Sequence, residues 1–326
     1  MSNRPTVYLT RPDIPQEALE KLKAACDVTT YPHEHPVDRD SLLQGVVGKD
    51  ALLCMLTDKV DKDVIQAGDK LKIIATMSVG FEHIDIEECK KRNIVVTNTP
   101  DVSSDSVAEL TTALALAAGR RIVDCADAIK HGEWVYSWSP QWLLGQGLHN
   151  STVGFVGMGR IAQSVLRRCI GLQIKRALYF DKFHPIKPAE EMGAVYMPLN
   201  DVVGQADFII CLVNLCDETR EMFNKSLFSK MKKTAVFINT SRGGVVNQED
   251  LYNALKNNVI RAAAIDVSLP EPLPKDHKLL TLRNLIVTPH IGSSEISVRI
   301  AMGHLAVDNV INVATGKPPR SKAVNM

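Results

Sequence analysis

"TVGFVGMGRIAQSVLRRC", residues 152–169, is the stretch on which the fold turns. A short apolar run meets Gly157-Met158-Gly159-Arg160-Ile161-Ala162, which fits G-x-G-x-x-[GA], and an amphipathic segment follows. The first glycine permits a tight strand-to-helix turn. The second lets a pyrophosphate approach the backbone and the helix N-terminus, and the small third residue, Ala162, lets the helix lie close on the strand. Asp181 ends the next apolar run, "ALYFD", 22 residues beyond Gly159. Standing alone it reads equally well as a strand-end acid or a helix cap. In register with the glycine turn it predicts a dinucleotide site, with the carboxylate on the ribose hydroxyls of the adenosine half. An aspartate disfavours a 2′-phosphate, whereas Lys182 and His184 pull the other way. The expected cofactor is therefore NAD(H) or NADP(H), with a slight lean to NADH.

On both sides of this stretch the chain alternates. Before it, "TVYLT", "DVTTY", "ALLCML", "LKIIAT" and "NIVVTN" are separated by charged, helix-favouring segments. From "TVGFVG" onward, "RALYFD", "DFIICLV", "AVFINT", "RAAAIDV" and "LIVTPH" continue a second series, predicting six parallel strands. This is the signature of two α/β units, each a doubly wound parallel sheet. The break at "NTPDVSSDS" and the helical segment 294–314, which has no strand after it, place the first domain at 1–102 plus 289–326. The second, at 103–288, is inserted into it. "VAELTTALALAAGRRI" reads as one long helix. A length of 326 residues suits two domains of roughly 150 residues each, with a cleft possible where they pack.

Lysine and arginine number 38 against 37 acidic residues, a net charge of +1, so no field of one sign points to nucleic acid or an anionic membrane. No apolar run approaches the about 18 residues of a membrane span. Seven scattered cysteines, without a C-x-x-C pair, read as reduced thiols of a cytoplasmic protein. No metal site is expected.

Three later strand ends carry unusual residues: Arg242 in "NTSRGG", Asp266 and Glu271 in "AIDVSLPEPLP", and His290 in "VTPHIGSS". In a parallel sheet these ends share one edge. A guanidinium holds a carboxylate by two parallel hydrogen bonds, an imidazole moves a proton near neutral pH, and a carboxylate orients the imidazole. Singly, each has a plainer reading: a solvated turn arginine, a loop acid between prolines, a helix-start histidine. Jointly they predict a hydride-transfer site for a 2-oxo or 2-hydroxy acid.

"MSVGFEHID", "TPDVSSDSVAEL", "VGFVGMGRIAQ", "FINTSRGGVVNQEDLYNAL", "AIDVSLPEPLP" and "TPHIGSS" resemble, in fixed order, the motifs of the D-2-hydroxyacid dehydrogenase family. Within it "ATMSVG", "WSPQW" and "GGVVNQEDLY" are most similar to the glyoxylate and hydroxypyruvate reductases of animals. The resemblance implies a flavodoxin-like substrate domain with a Rossmann cofactor domain inserted into it. It assigns Arg242 to the substrate carboxylate and 2-oxo group, His290 to proton donation and Glu271 to the histidine's partner. Val79 and Gly80 would bind substrate through their backbone, with Ser293 nearby. Asp266 would contact the nicotinamide. Gly157, Gly159, Arg160, Ile161, Asp181, Lys182, Asn214, Thr240 and Gly292 would complete the cofactor site. A phosphoglycerate-type dehydrogenase and a dinucleotide-sensing corepressor are the alternatives on the same scaffold.

"EWVYSWSPQWLLGQG" holds all three tryptophans. Trp134 is expected to pack within its own subunit. The resemblance implies a dimerisation loop in a homodimer, with Trp138 reaching toward the partner's substrate pocket.

Overall fold

The structure, a computed structural model, describes residues 4–325. The chain divides into two compact units, Met1–Ser103 with Ser294–Met326, and Ser104–Ser293. The first carries five parallel strands: β1 (Thr6–Leu9), β2 (Asp27–Thr30), β3 (Ala51–Cys54), β4 (Ile73–Thr76) and β5 (Val95–Thr97), in the order β2-β1-β3-β4-β5. That is the flavodoxin-like order. Every residue of β3 and β4 is buried, as expected of strands covered on both faces. One face is covered by the helices Gln16–Ala25 and Ile296–Ala314. The latter lays Val298, Met302, Ala306 and Val310 against Val7, Leu53 and Ala75. The terminal helix thus belongs with the first sheet. The helices Arg39–Gly45, Lys62–Ala67 and Ile86–Lys91 start on Asp38, Asp61 and Asp85, each accepting a first-turn N–H.

The second unit holds β6 (Thr152–Val156), β7 (Arg176–Phe180), β8 (Ala194–Tyr196), β9 (Phe208–Cys211), β10 (Val236–Asn239), β11 (Ala262–Ile265) and β12 (Leu285–Val287). All are parallel, in the order β12-β11-β10-β9-β6-β7-β8. The sheet has seven strands where the sequence predicts six. The missed strand, β8, is three residues long and pairs only with β7, too short a run for a periodicity to register. Strand order reverses between β6 and β9, so the turn after β6 opens at the switch point where doubly wound sheets bind ligands.

Two further expectations are corrected. The long helix ends at Gly119, and Arg121, at φ 56°, starts a second helix, Ile122–Lys130. A side chain at Gly119 would lie 2.6 Å from the Gln146 carbonyl, so the helix stops where another segment crosses it. The second domain boundary falls after Ser293 rather than at 288. His290, Gly292 and Ser293 therefore belong with the seven-stranded sheet, because Asp266 holds that turn (below).

No helix among the described residues is long and apolar enough to cross a membrane. Cys26, Cys54, Cys89, Cys169 and Cys211 are buried, Cys125 is half-buried and Cys216 exposed, all as free thiols. Burial pushes the Cys89 and Cys169 thiols up to about 12, so both are packing residues rather than nucleophiles.

Candidate active site

Gly157 follows β6 at φ +90°, and a Cβ there would sit 2.7 Å from the Leu212 carbonyl oxygen. Only glycine fits that turn. At Gly159 the opposite holds: a Cβ would meet nothing within 4 Å, so the backbone faces open space. Gly159 caps the helix Arg160–Gly171 without a side-chain hydrogen bond, which leaves first-turn N–H groups pointing into that space. Ala162 is fully buried against the strand. Asp181 accepts from the Met158 N–H at 2.7 Å and the Phe183 N–H at 2.8 Å, which fixes its carboxylate beside the glycine turn. An open backbone cradle, an uncapped helix start and an anchored acid fit a dinucleotide. Lys182 pairs with Glu218 at 3.1 Å and His184 stacks on Tyr196, so both side chains near Asp181 are engaged. Asn214 is exposed and its carbonyl accepts from Thr219. The Thr240 hydroxyl pairs with that of Thr111 at 2.7 Å.

The neighbouring strands β10, β11 and β12 deliver Arg242, Glu271 and His290 to the same edge of the sheet. After β10, buried Asn239 ties the turn. Its Oδ1 accepts from the Ser241 N–H and hydroxyl, and its Nδ2 donates to the Arg242 carbonyl at 3.0 Å. Arg242 is in extended backbone, and a Cβ at the next residue, Gly243, would lie 2.1 Å from the Ser268 backbone. The glycine after the arginine is thus demanded by the close passage of the segment after β11. That segment is held by Gln248, which donates to the Leu269 carbonyl and accepts its N–H, and it carries Glu271. Glu271 Oε1 lies 2.7 Å from His290 Nδ1. His290 Nε2 has no protein partner among the described residues.

His290 adopts φ 54°, a left-handed conformation that a β-carbon disfavours. Asp266 holds it there. This residue, 2 % exposed, accepts from the Thr288 hydroxyl at 2.6 Å, the Ile291 N–H at 2.9 Å and the Gly292 N–H at 2.8 Å, while its carbonyl accepts the His290 N–H at 2.9 Å. Asp266, which the resemblance assigns to the nicotinamide, also holds with its carboxylate the turn that presents the histidine. Ser293 closes that turn, half-buried.

In the first unit Val79 and Gly80 follow β4, and Val79 is 39 % exposed. The carbonyls of Ser78, Val79 and Gly80 accept, in order, from the Thr99 N–H, Asn98 Nδ2 and Ser78 Oγ. No protein acceptor takes the Val79 or Gly80 N–H among the described residues. Asn98, Ser78, Asn239, Gln248 and Thr288 were missed in the sequence reading. The one signal, for all but Gln248 at a helix start, was a polar residue at the end of an apolar run.

In the tryptophan segment, Trp138 is 78 % exposed. Trp134, expected to pack within its own subunit, is 53 % exposed and is corrected to a surface residue.

The chain belongs to the D-isomer specific 2-hydroxyacid dehydrogenase family, whose NAD binding domain matches residues 112–292. It is 44 % identical over 319 residues to the human glyoxylate reductase/hydroxypyruvate reductase, covering 97 % of each chain. Among solved structures, a protein of Thermus thermophilus matches with a TM-score of 0.87 at 35 % identity, over 97 % of this chain and 99 % of that one. The D-lactate dehydrogenase of Aquifex aeolicus, complexed with NAD and lactic acid, matches at 0.83 and 26 % identity over 93 % of each.

Asp266→Asn should destabilise the second unit by about 1–3 kcal/mol, because an amide turns its NH2 toward a buried donor. Denaturant unfolding checks this; an unchanged midpoint would mean the turn holds without the carboxylate.

Proposed function

We propose that this chain reduces the small 2-oxo acids glyoxylate and hydroxypyruvate to glycolate and D-glycerate with NAD(P)H. The observation that carries the reading is the 2.7 Å pair of His290 and Glu271, on strand ends adjoining the one that presents Arg242. The choice of substrates is supported by the human relative at 44 % identity.

A reduced nicotinamide held there would supply a hydride to C2 of the acid. The chain's own residues do the rest. First-turn N–H groups at Arg160 and Ile161, after Gly157 and Gly159, would receive the pyrophosphate, and Asp181 would take the ribose hydroxyls. Asn214, Thr240 and Gly292 line the remainder. Arg242 holds the carboxylate and polarises the 2-oxo group, with Ser293 on the same strand-end turn as His290. In the first unit, the outward N–H groups of Val79 and Gly80 are assigned to the substrate carboxylate. His290 Nε2 gives its proton to the 2-oxo oxygen as the hydride arrives, and takes it back in the reverse reaction. Glu271, accepting from Nδ1, fixes the ring and balances the protonated imidazole. His290→Ala should lower kcat by about 10²–10⁴ and keep dinucleotide affinity. Arg242→Lys, which keeps the charge and loses the fork, should lower kcat/KM by more than tenfold, on the order of one lost charge-assisted hydrogen bond. Near-native kinetics in either variant would remove that residue from the mechanism.

NADH is the preferred cofactor, since Asp181 is anchored where a 2′-phosphate would sit and Lys182 is paired to Glu218. Parallel assays with NADH and NADPH test this. A higher kcat/KM with NADPH would show that Asp181 does not set the preference.

The functional form is a cytoplasmic homodimer. Free thiols throughout support the compartment. An exposed apolar run, with Val135 at 73 %, Tyr136 at 75 % and Trp138 at 78 %, supports a second copy as its cover. Trp138 would narrow the partner's substrate mouth. Sedimentation should give the mass of two chains, and Trp138→Ala should weaken discrimination against bulkier 2-oxo acids. An active monomer would overturn the assignment.

A further inference from the structure

The loop after β4 contains a hydrogen-bond relay that decides which way its peptide groups face. In a trans peptide the C=O of one residue and the N–H of the next point in opposite directions. The Ser78 carbonyl is taken by the Thr99 N–H at 2.9 Å, which turns the Val79 N–H the other way. Asn98 Nδ2 takes the Val79 carbonyl at 2.6 Å and so turns the Gly80 N–H. Ser78 Oγ takes the Gly80 carbonyl at 2.7 Å and turns the N–H of Phe81. Three successive N–H groups therefore face away from the groups that hold their carbonyls, a donor surface suited to a carboxylate.

The relay runs deeper. Ser78 Oγ has one hydrogen, which it gives to Gly80, so at 2.7 Å the Thr76 hydroxyl must donate to Ser78. Thr76 then accepts from His83 at 3.1 Å, which assigns the proton to His83 Nε2. Thr76, Ser78 and Asn98 are 0 %, 3 % and 7 % exposed, so water does not replace these bonds.

We propose that Asn98 and Ser78, the latter set by Thr76 and His83, are positioning residues for substrate affinity: they hold the Val79–Phe81 amides outward for the carboxylate of the 2-oxo acid. The proposal rests on the reading that this loop receives that carboxylate. It assigns the polar residues of "ATMS" and "TNTP" a task in binding rather than in folding alone.

Asn98→Ala should raise KM for glyoxylate about tenfold, the equivalent of one misdirected hydrogen bond, while kcat and the affinity for NADH stay within about twofold. Ser78→Ala and Thr76→Val should shift KM in the same direction, and Thr76→Ser, which keeps the hydroxyl, should restore it. A packing defect would lower the melting temperature and the active fraction without separating KM from kcat. If Asn98→Ala does not fold, the Thr76 pair carries the test. KM within twofold of native in Ser78→Ala and Thr76→Val overturns the proposal. An arm independent of turnover uses oxamate, a non-reacting 2-oxo acid analogue. In the native protein with NADH its addition should shift the amide resonances of Val79 and Gly80, and in Ser78→Ala the same shift should need about tenfold more oxamate. A native protein that shows these shifts without reducing either acid would sink the proposed substrates and leave the positioning role standing; amides that do not respond would sink the positioning role.

Discussion

The candidate site depends on the buried carboxylate of Asp266. At the end of β11 it gathers the Thr288 hydroxyl and two main-chain N–H groups of the segment after β12, and its own carbonyl takes the His290 N–H. A carboxyl group this deep is costly to bury unless its oxygens accept hydrogen bonds, and three donors supply them. The left-handed φ of His290 persists because these bonds over-determine the turn. A neutral residue at 266 would leave the imidazole without a fixed direction, and the 2.7 Å contact to Glu271 needs one.

Both units solve the same problem at the carboxyl ends of parallel strands. The sheets are covered on both faces, so polar groups needed for chemistry have room only at the edge where strands become loops. In the seven-stranded sheet, side chains are presented there: Arg242 by the Asn239 turn and the close passage at Gly243, Glu271 by the loop that Gln248 holds. In the five-stranded sheet the backbone itself is presented. Ser78 and Asn98 take the carbonyls, and the amides are left as donors.

Charge near the glycine turn is arranged by anchoring more than by number. Asp181 is fixed by two main-chain N–H groups, whereas Lys182 and Glu218 are each 69 % exposed and screened by solvent. The Glu218 carboxyl is held below its usual range by the Cys216 thiol first and Lys182 second.

The sequence alone determined the two-sheet architecture and which residues stand at the carboxyl ends of the later strands. Strand and helix periods are local, and the glycine spacing with Asp181 is a local steric requirement. Arg242, Glu271 and His290 were legible because chain order fixes which strand ends carry them. What only the tertiary structure decided are the contacts between segments far apart in the chain. That Asp266 holds the His290 turn is one of them. The boundary moved to Ser293 for the same reason. β8 was too short to show a period, and Trp134 had no local signal that its ring would lie outside. Asn98 and Ser78 look like ordinary strand-end residues until the fold sets one loop against the other. Hydrogen-bond direction is a property of that pairing, and no single segment encodes it.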